Sequence, residues 1–242
     1  MKPIAIFQHD DTQRPGFLKQ TLEELGIEQR TFVPEADPGY VPRDARDFSG
    51  IVLLGSNRSV NDPLSWIERE ARLVRAAMDA DIPVLGHCFG AQLMARALGA
   101  VVCRNAWPDI GWSRLRAVPA GRGVFAQPEV WAFNWHYETF AIPPGAQRLL
   151  TSAHCMNKAF AIGKHLAFQC HFEVTEDIVR EWLDGSANEL LAASGPAVQQ
   201  RDAILAQLPH VLPAVHAAAG RIYRRWALGL ARPPLVSVGG GS

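Results

Sequence analysis

Cys88 lies at the centre of GHCFG, with Gly86 and Gly90 two positions to either side. It falls between the apolar run Ile82 to Leu85 and a stretch of helical spacing that begins at Phe89. A strand that turns sharply into a helix forces its apex residue into a strained backbone conformation, and glycines at those two positions remove the side chains that would collide. The apex side chain then stands clear of the sheet. A thiol there faces the N-terminus of the following helix, whose free N–H groups and positive dipole end favour the thiolate. The Phe89 N–H is placed to donate to the oxyanion formed when that thiolate attacks a carbonyl. Many unpaired cysteines are simply buried core residues, but that role calls for neither flanking glycine.

Attack on an amide also needs an acid for the departing amine, and histidine suits near-neutral pH. In HLAFQCHFEVT, His171 and Glu173 lie two apart at the end of an expected strand, where alternate side chains share a face. The carboxylate can then orient the imidazole and complete a nucleophile, base and carboxylate set with Cys88. His136, in NWHYETF, either lines the same pocket or lies in a loop. His87 adjoins the nucleophile but at that spacing points away from it, which reads as packing. His154, His165, His210 and His216 carry no supporting pattern. Since no Cys or His pair has zinc spacing, neither a metal nor another cofactor is expected.

These groups need elements to hold them. Pro3 to Gln8 reads as a buried strand and Phe17 to Leu25 as a helix ended by Gly26. Ile51 to Leu54 is a second apolar strand, stopped by Gly55. Leu64 to Ala80 is an amphipathic helix with Trp66, Leu73, Val74 and Ala77 on one side, and Pro83 to Leu85 opens the strand before Cys88. Such alternation predicts an α/β fold with a mostly parallel central sheet flanked by helices, with ligands beyond the carboxyl ends of the strands. After Ala100 the runs VVCR, SRLRAV, VWAFNW, QRLLTS, AFAIG and HLAFQCHF point to a β-rich second half. Helical spacing returns from Thr175, breaks between Ala192 and Pro196, and continues to about Leu230. We divide the chain into a domain over 1–184, a helical extension over 185–236 packed on it, and a flexible tail over 237–242. The extension, with Arg221, Arg224 and Arg225 near its end, either only packs on its own domain or also offers a surface to a homodimer or another partner.

The chain balances 24 basic side chains against 24 acidic ones, so no global field favours nucleic acid or an anionic membrane. Four cysteines without CxxC spacing in 242 residues read as reduced thiols. The opening MKPIAIFQHDD is too short for a secretory signal, and no apolar stretch approaches the roughly 20 residues that span a bilayer. A cytoplasmic protein acting on a small uncharged or zwitterionic ligand is the expectation.

With these residues in view, the chain resembles the class I (triad) glutamine amidotransferases, especially stand-alone domains similar to the amidotransferase half of GMP synthase. The likeness covers roughly Ile4 to Leu183. GHCFGAQ resembles the family's GxCxGxQ, QCHFEVT its Q-x-H-P-E segment, and IVLLGS (Ile51 to Ser56) the strand that ends in a Gly-Gly oxyanion turn. The resemblance implies a flavodoxin-like fold, a γ-glutamyl thioester on Cys88, a proton shuttle at His171 and a supporting role for Glu173. It implies oxyanion donors from the backbone at Ser56 and Phe89, and contacts to glutamine from Gly55, Gln92, Trp135, His136 and Tyr137. IGW at Ile110 to Trp112 is also similar to the stand-alone group.

Four positions depart from that pattern. Ser56 stands where a second glycine is usual and Asn57 where proline is, so a Cβ could hinder any flip of that peptide. Phe172 replaces proline between the histidine and the glutamate, and Tyr137 a residue that is often small. The expected activity is hydrolysis of a γ-glutamyl amide, releasing ammonia from glutamine or an amine from a γ-glutamyl compound. The alternative, motivated by Ser56 and Tyr137, is a binding or regulatory module whose triad is weak or idle. Neither GxGxxG nor GxxxxGK[ST] occurs, so any synthase that uses the ammonia must be a separate subunit.

Overall fold

The computed structural model describes residues 1–36 and 41–230. In chain order it forms β1 (Ile4–Phe7), α1 (Gly16–Glu24), β2 (Gln29–Phe32), β3 (Gly50–Leu53), α2 (Ser65–Asp79), β4 (Val84–His87) and α3 (Phe89–Ala97). Then come β5 (Val102–Ala117), α4 (Arg122–Phe125), β6 (Glu129–Phe140), β7 (Gln147–Thr151), β8 (Ala159–Ile162), β9 (His165–Phe168), α5 (Glu176–Gly185), α6 (Ala187–Ala192) and α7 (Arg201–Ala227). One sheet of nine strands runs in the order β2-β1-β3-β4-β9-β8-β7-β5-β6. The pairings from β2 to β9 are parallel and those from β9 to β6 antiparallel, so β9 is the seam of a mixed sheet.

The parallel half has continuous apolar strands because both its faces are covered. Ile4, Ile6, Val52, Leu54 and Leu85 point into a core with α1, α5 and α7, while Ala5, Phe7, Ile51, Leu53 and Val84 point into one with α2 and α3. That alternation is the two-residue period of a strand. Two elements differ from the sequence expectation. β2 (QRTF) went unread because an exposed edge strand has no need of an apolar run. VVCR and SRLRAV are not two strands but parts of β5, which continues through Pro108 at an irregularity in its pairing with β6 between Arg104 and Asp109. A strand tolerates proline at such a break because no ladder hydrogen bond is required of its nitrogen.

α7 corrects a second expectation. By length and composition it is apolar enough to cross a membrane. Ile204, Leu208, Val211, Val215, Ala218, Ile222 and Trp226 are nevertheless buried, at a spacing that keeps them on one face within the core of this domain. The end of the proposed extension and the 237–242 tail lie outside the described residues.

Candidate active site

Strand register brings the chemistry to one edge. Phe7 pairs with Leu53, Leu53 with Gly86, and His87 with Phe168, all in parallel. The residues just past these strand ends therefore line up in space: His9, Gly55, Cys88, and the segment from Gln169 to Glu173. This is the carboxyl edge of the sheet, where such folds bind ligands.

Cys88 is the apex of the turn from β4 into α3, with φ 49° and ψ −108°. A non-glycine residue at positive φ is strained, and its neighbours hold it there: its N–H donates to the Phe168 carbonyl at 2.8 Å and its carbonyl accepts from the Gln92 N–H at 3.0 Å. A Cβ on Gly90 would lie 2.3 Å from the Leu53 carbonyl oxygen and one on Gly86 2.7 Å from the Gly90 backbone, so the two glycines are there for space. Cys88 is buried, with 7% of its surface exposed. Its sulfur lies 3.8 Å from the Trp135 carbonyl oxygen, and Gln169 Nε2 approaches it at 3.7 Å.

His171 and Glu173 do meet, although β9 has already ended at Phe168. An isolated bridge to Phe133, with the His171 N–H donating to the Phe133 carbonyl at 2.8 Å, keeps this segment extended and the two side chains on one face. His171 Nδ1 donates to Glu173 Oε1 at 2.6 Å, and the other side of the ring faces the Cys88 thiol. Burial disfavours a charged His171, yet Glu173 and the Cys88 thiol outweigh it and lift the imidazole to about 10. Burial likewise acts against a charged Glu173, but His87 and His171 hold its carboxyl below the usual range. Trp182 stands edge-on to His171 at 4.8 Å and limits water.

His87 is fully buried and stacked on Phe168 at 5.6 Å, the packing role that its spacing implied, and it also reaches the carboxylate. Its Nδ1 lies 3.2 Å from Glu173 Oε2 and donates to the Cys170 carbonyl at 3.3 Å. Burial keeps the ring neutral, so Nε2 accepts from the Tyr223 hydroxyl at 3.2 Å. Tyr223 belongs to α7, so the C-terminal helix reaches the carboxylate through one histidine.

His9 was missed altogether. It is completely buried, with Nδ1 donating to the Gly55 carbonyl at 2.9 Å and Nε2 lying 3.0 and 3.2 Å from the two Glu70 oxygens. A carbonyl on one side and a carboxylate on the other require both nitrogens to donate. Burial opposes the charge, but Glu70 prevails and raises the pKa of His9. Among the described residues every peptide is trans, so holding the Gly55 carbonyl toward His9 turns the Ser56 N–H the opposite way. The ring also packs on Phe89 at 4.7 Å, touching the second expected oxyanion position.

Two cavities flank Cys88 and share Ser56, Asn57 and Trp135. The larger, about 420 Å³, includes Gln92, Arg58, Arg104, Tyr137, Glu138 and Glu189. The smaller, about 150 Å³, includes His171. Gly55 backs the turn between them: a Cβ there would lie 3.3 Å from His171 Cε1. Gln92 has spent its amide protons on the Glu138 carbonyl and on Gln169 Oε1, each at 3.2 Å. His136 lines the larger cavity, as one of the two expectations had it, but both its nitrogens are engaged, Nδ1 donating to the Glu138 carbonyl at 2.9 Å and Nε2 accepting from Lys158 at 2.8 Å. Burial and the Lys158 charge push its pKa well down and keep it neutral. Lys158, itself fully buried, also bonds Asn134 at 2.7 Å and pairs with Asp109 at 2.6 Å. This polar cluster braces the Trp135 to Tyr137 wall from behind. Trp112 of the IGW segment is a core residue whose indole donates to the Ile204 carbonyl at 3.0 Å, well removed from the thiol's own contacts.

The family profile "Glutamine amidotransferase class-I" matches residues 16–180, which hold the turn at Cys88, the Gly55 to Ser56 turn and the His171 to Glu173 pair. The chain belongs to the class I glutamine amidotransferase family. A subunit of the glutamine-hydrolysing GMP synthase of Methanoculleus marisnigri is 32% identical over 74% of this chain and 92% of that protein. The glutamine amidotransferase-like protein YfeJ of Salmonella typhimurium is 27% identical over 79% of this chain and 84% of that one. The GMP synthase of Bordetella parapertussis is 28% identical over 69% of this chain, which spans only 33% of that longer protein. Among solved structures, a glutamine amidotransferase from Methylobacillus flagellatus superposes with a TM-score of 0.93 at 35% identity, covering 96% of this chain and 97% of that one. The likeness to that structure extends beyond the segment that the family profile matches and takes in α7.

His9, Glu70, Gln169 and Tyr223 carry little sequence signal. His9 follows β1 by two residues and so falls at the ligand edge, the one hint that could have singled it out. Gln169 lies inside the segment that resembles the family motif but drew no role of its own.

Proposed function

We propose that this chain hydrolyses a γ-glutamyl amide through a thioester on Cys88. The observation that carries the reading is the strained thiol at the start of α3 facing a buried imidazole that Glu173 keeps protonated. The Cys88 sulfur attacks the amide carbon, and the carbonyl electrons move to an oxygen held by the N–H groups of Ser56 and Phe89. His171 gives its proton to the nitrogen, the C–N bond breaks, and an amine or ammonia departs. A water then adds to the thioester, His171 takes its proton, and glutamate leaves as the C–S bond breaks.

The larger cavity suits the amino-acid head of the substrate. Arg104 offers positive charge to an α-carboxylate, with Arg58 beside it already paired with Glu35, and Glu138 and Glu189 offer negative charge to an α-ammonium group. Tyr137 does not close this space. Its hydroxyl is turned to Glu189, and burial with that contact lifts its pKa to about 12, so it stays a neutral donor. Four free thiols support a reducing cytoplasm. If glutamine is the donor, the name of the Methanoculleus relative as one subunit of a synthase favours a separate synthase partner for the ammonia.

The test is release of glutamate and amine from glutamine and γ-glutamyl compounds. Wild type should turn over and accumulate a glutamyl adduct on Cys88 after acid quench, whereas Cys88→Ser should lose activity by at least a thousandfold. Equal turnover by the two proteins would sink the proposal.

A further inference from the structure

The departing ammonia of glutamine would leave most of the smaller cavity unfilled. We infer that it is a subsite for the organic group of the departing amine, so that the preferred substrate is a γ-glutamyl amide of a primary amine carrying a short uncharged chain. This rests on the hydrolase reading above.

The direction of the substrate follows from the position of the acid. The leaving nitrogen must lie beside His171 to take its proton, and of the two cavities at Cys88 only the smaller is lined by His171. The larger one carries the paired charges that suit the amino-acid head. A γ-glutamyl amide bound across Cys88 therefore points its nitrogen substituent into the smaller cavity.

Size then distinguishes ammonia from a larger amine. A water-sized product needs roughly 10–15 Å³ of such space, whereas an apolar cavity of about 150 Å³ holds a benzene ring. The cavity beside His171 is about 150 Å³. It is open on one side, so a chain of about six non-hydrogen atoms fits without displacing protein.

The lining matches an amide N–H followed by an uncharged chain. Trp135 and Trp182 supply flat apolar walls and are fixed in place: the Trp182 indole donates to the Thr12 carbonyl, and that of Trp135 to Glu189, each at 2.9 Å. Gln13 Oε1 is a buried acceptor without a hydrogen-bond partner. A Cβ built on Gly55 would lie 2.2 Å from that oxygen and 3.3 Å from His171 Cε1, so the unused acceptor stands beside the proton donor. Asp10 fixes the approach of Gln13, accepting from the N–H groups of Thr12 and Gln13 at 3.0 Å each. In the first step the substituted nitrogen keeps its own hydrogen, which Gln13 Oε1 accepts, and gains the His171 proton as the C–N bond breaks. The product is a neutral primary amine. Glu181 at the rim pairs with Arg14 at 2.5 Å, a guanidinium it shares with Asp177 at 3.1 Å, so the one carboxylate that lines the cavity is already partnered.

The experiment compares kcat/KM for glutamine, γ-glutamylethylamide, γ-glutamylbutylamide and γ-glutamylanilide, following glutamate formation. The substituted amides should be cleaved at least as efficiently as glutamine. Gly185→Phe puts a ring into the cavity from a position where a Cβ meets open space, and it should lower the butylamide-to-glutamine ratio at least tenfold. Ser186→Phe serves the same purpose if the first variant does not fold. Glutamine turnover with a butylamide value a hundredfold lower, or a ratio that neither variant moves, overturns the subsite and leaves the hydrolase reading intact. No turnover of any compound and no adduct on Cys88 overturns both.

Discussion

Replacing His9 by phenylalanine separates the structural and catalytic work of one buried ion pair. His9 and Glu70 are both fully buried at 3.0 Å, a separation at which unit charges attract by ~5.5 kcal/mol for an effective dielectric of about 20. Much of that attraction offsets the cost of desolvating the two groups. Removing one partner strands the other, which destabilises by about 3–5 kcal/mol. For a domain of this size the melting temperature should fall by roughly 6–20 °C. Adding Glu70→Met removes the stranded charge and should restore most of the loss, because apolar replacement of a whole buried pair is often neutral or better. Activity should not return. In both variants the Gly55 carbonyl lacks its donor, so the peptide no longer holds the Ser56 N–H in the orientation that the proposed oxyanion contact requires, a contact worth on the order of 100–1,000-fold in kcat. The assay is thermal unfolding beside steady-state kinetics, with KM expected to change little. A double variant with restored melting temperature and kcat within threefold of wild type would refute the argument. The pH dependence gives a second check. With its pKa raised in the fold, His9 contributes stability that is complete below its ordinary value of about 6.5 and is lost as pH climbs through the raised one. The double variant should lack that alkaline loss.

Two further outcomes follow from the site. Glu173→Gln removes the principal charge that holds His171 up at about 10, so the alkaline limb of the pH profile of kcat/KM should move to lower pH; an unmoved limb would show that His171 is not the proton donor. Lys158→Met leaves the buried Asp109 carboxylate without its partner and should lower stability by about 3–5 kcal/mol in thermal or denaturant unfolding, while Lys158→Met with Asp109→Leu should recover most of it.

The chemistry was legible in the sequence wherever it depended on neighbours along the chain. Gly86 and Gly90 announce the turn at Cys88 because their only function is to leave room for nearby backbone. His171 and Glu173 share a face because extended backbone alternates, and that local geometry survives past the end of β9. The parallel half of the sheet could be read from runs such as IVLL, since burial on both faces demands apolar residues throughout. β2 could not, because an edge strand is under no such demand.

What only the tertiary structure decided are the partnerships between residues far apart in sequence. Glu70 lies 61 residues from His9, and Tyr223 lies 136 from His87, yet both pairs touch the machinery around Cys88. A buried histidine and a buried carboxylate look the same in sequence as exposed ones, because burial belongs to the packed sheet and not to either residue. The same holds for His136. Its place beside Trp135 suggested a ligand contact, but Lys158 arrives from the next antiparallel strands and takes the nitrogen. Sequence thus determined which groups could react. Folding determined their protonation, their free hydrogen-bonding capacity and the two cavities that set the orientation of a substrate, because each depends on distances that no local pattern encodes.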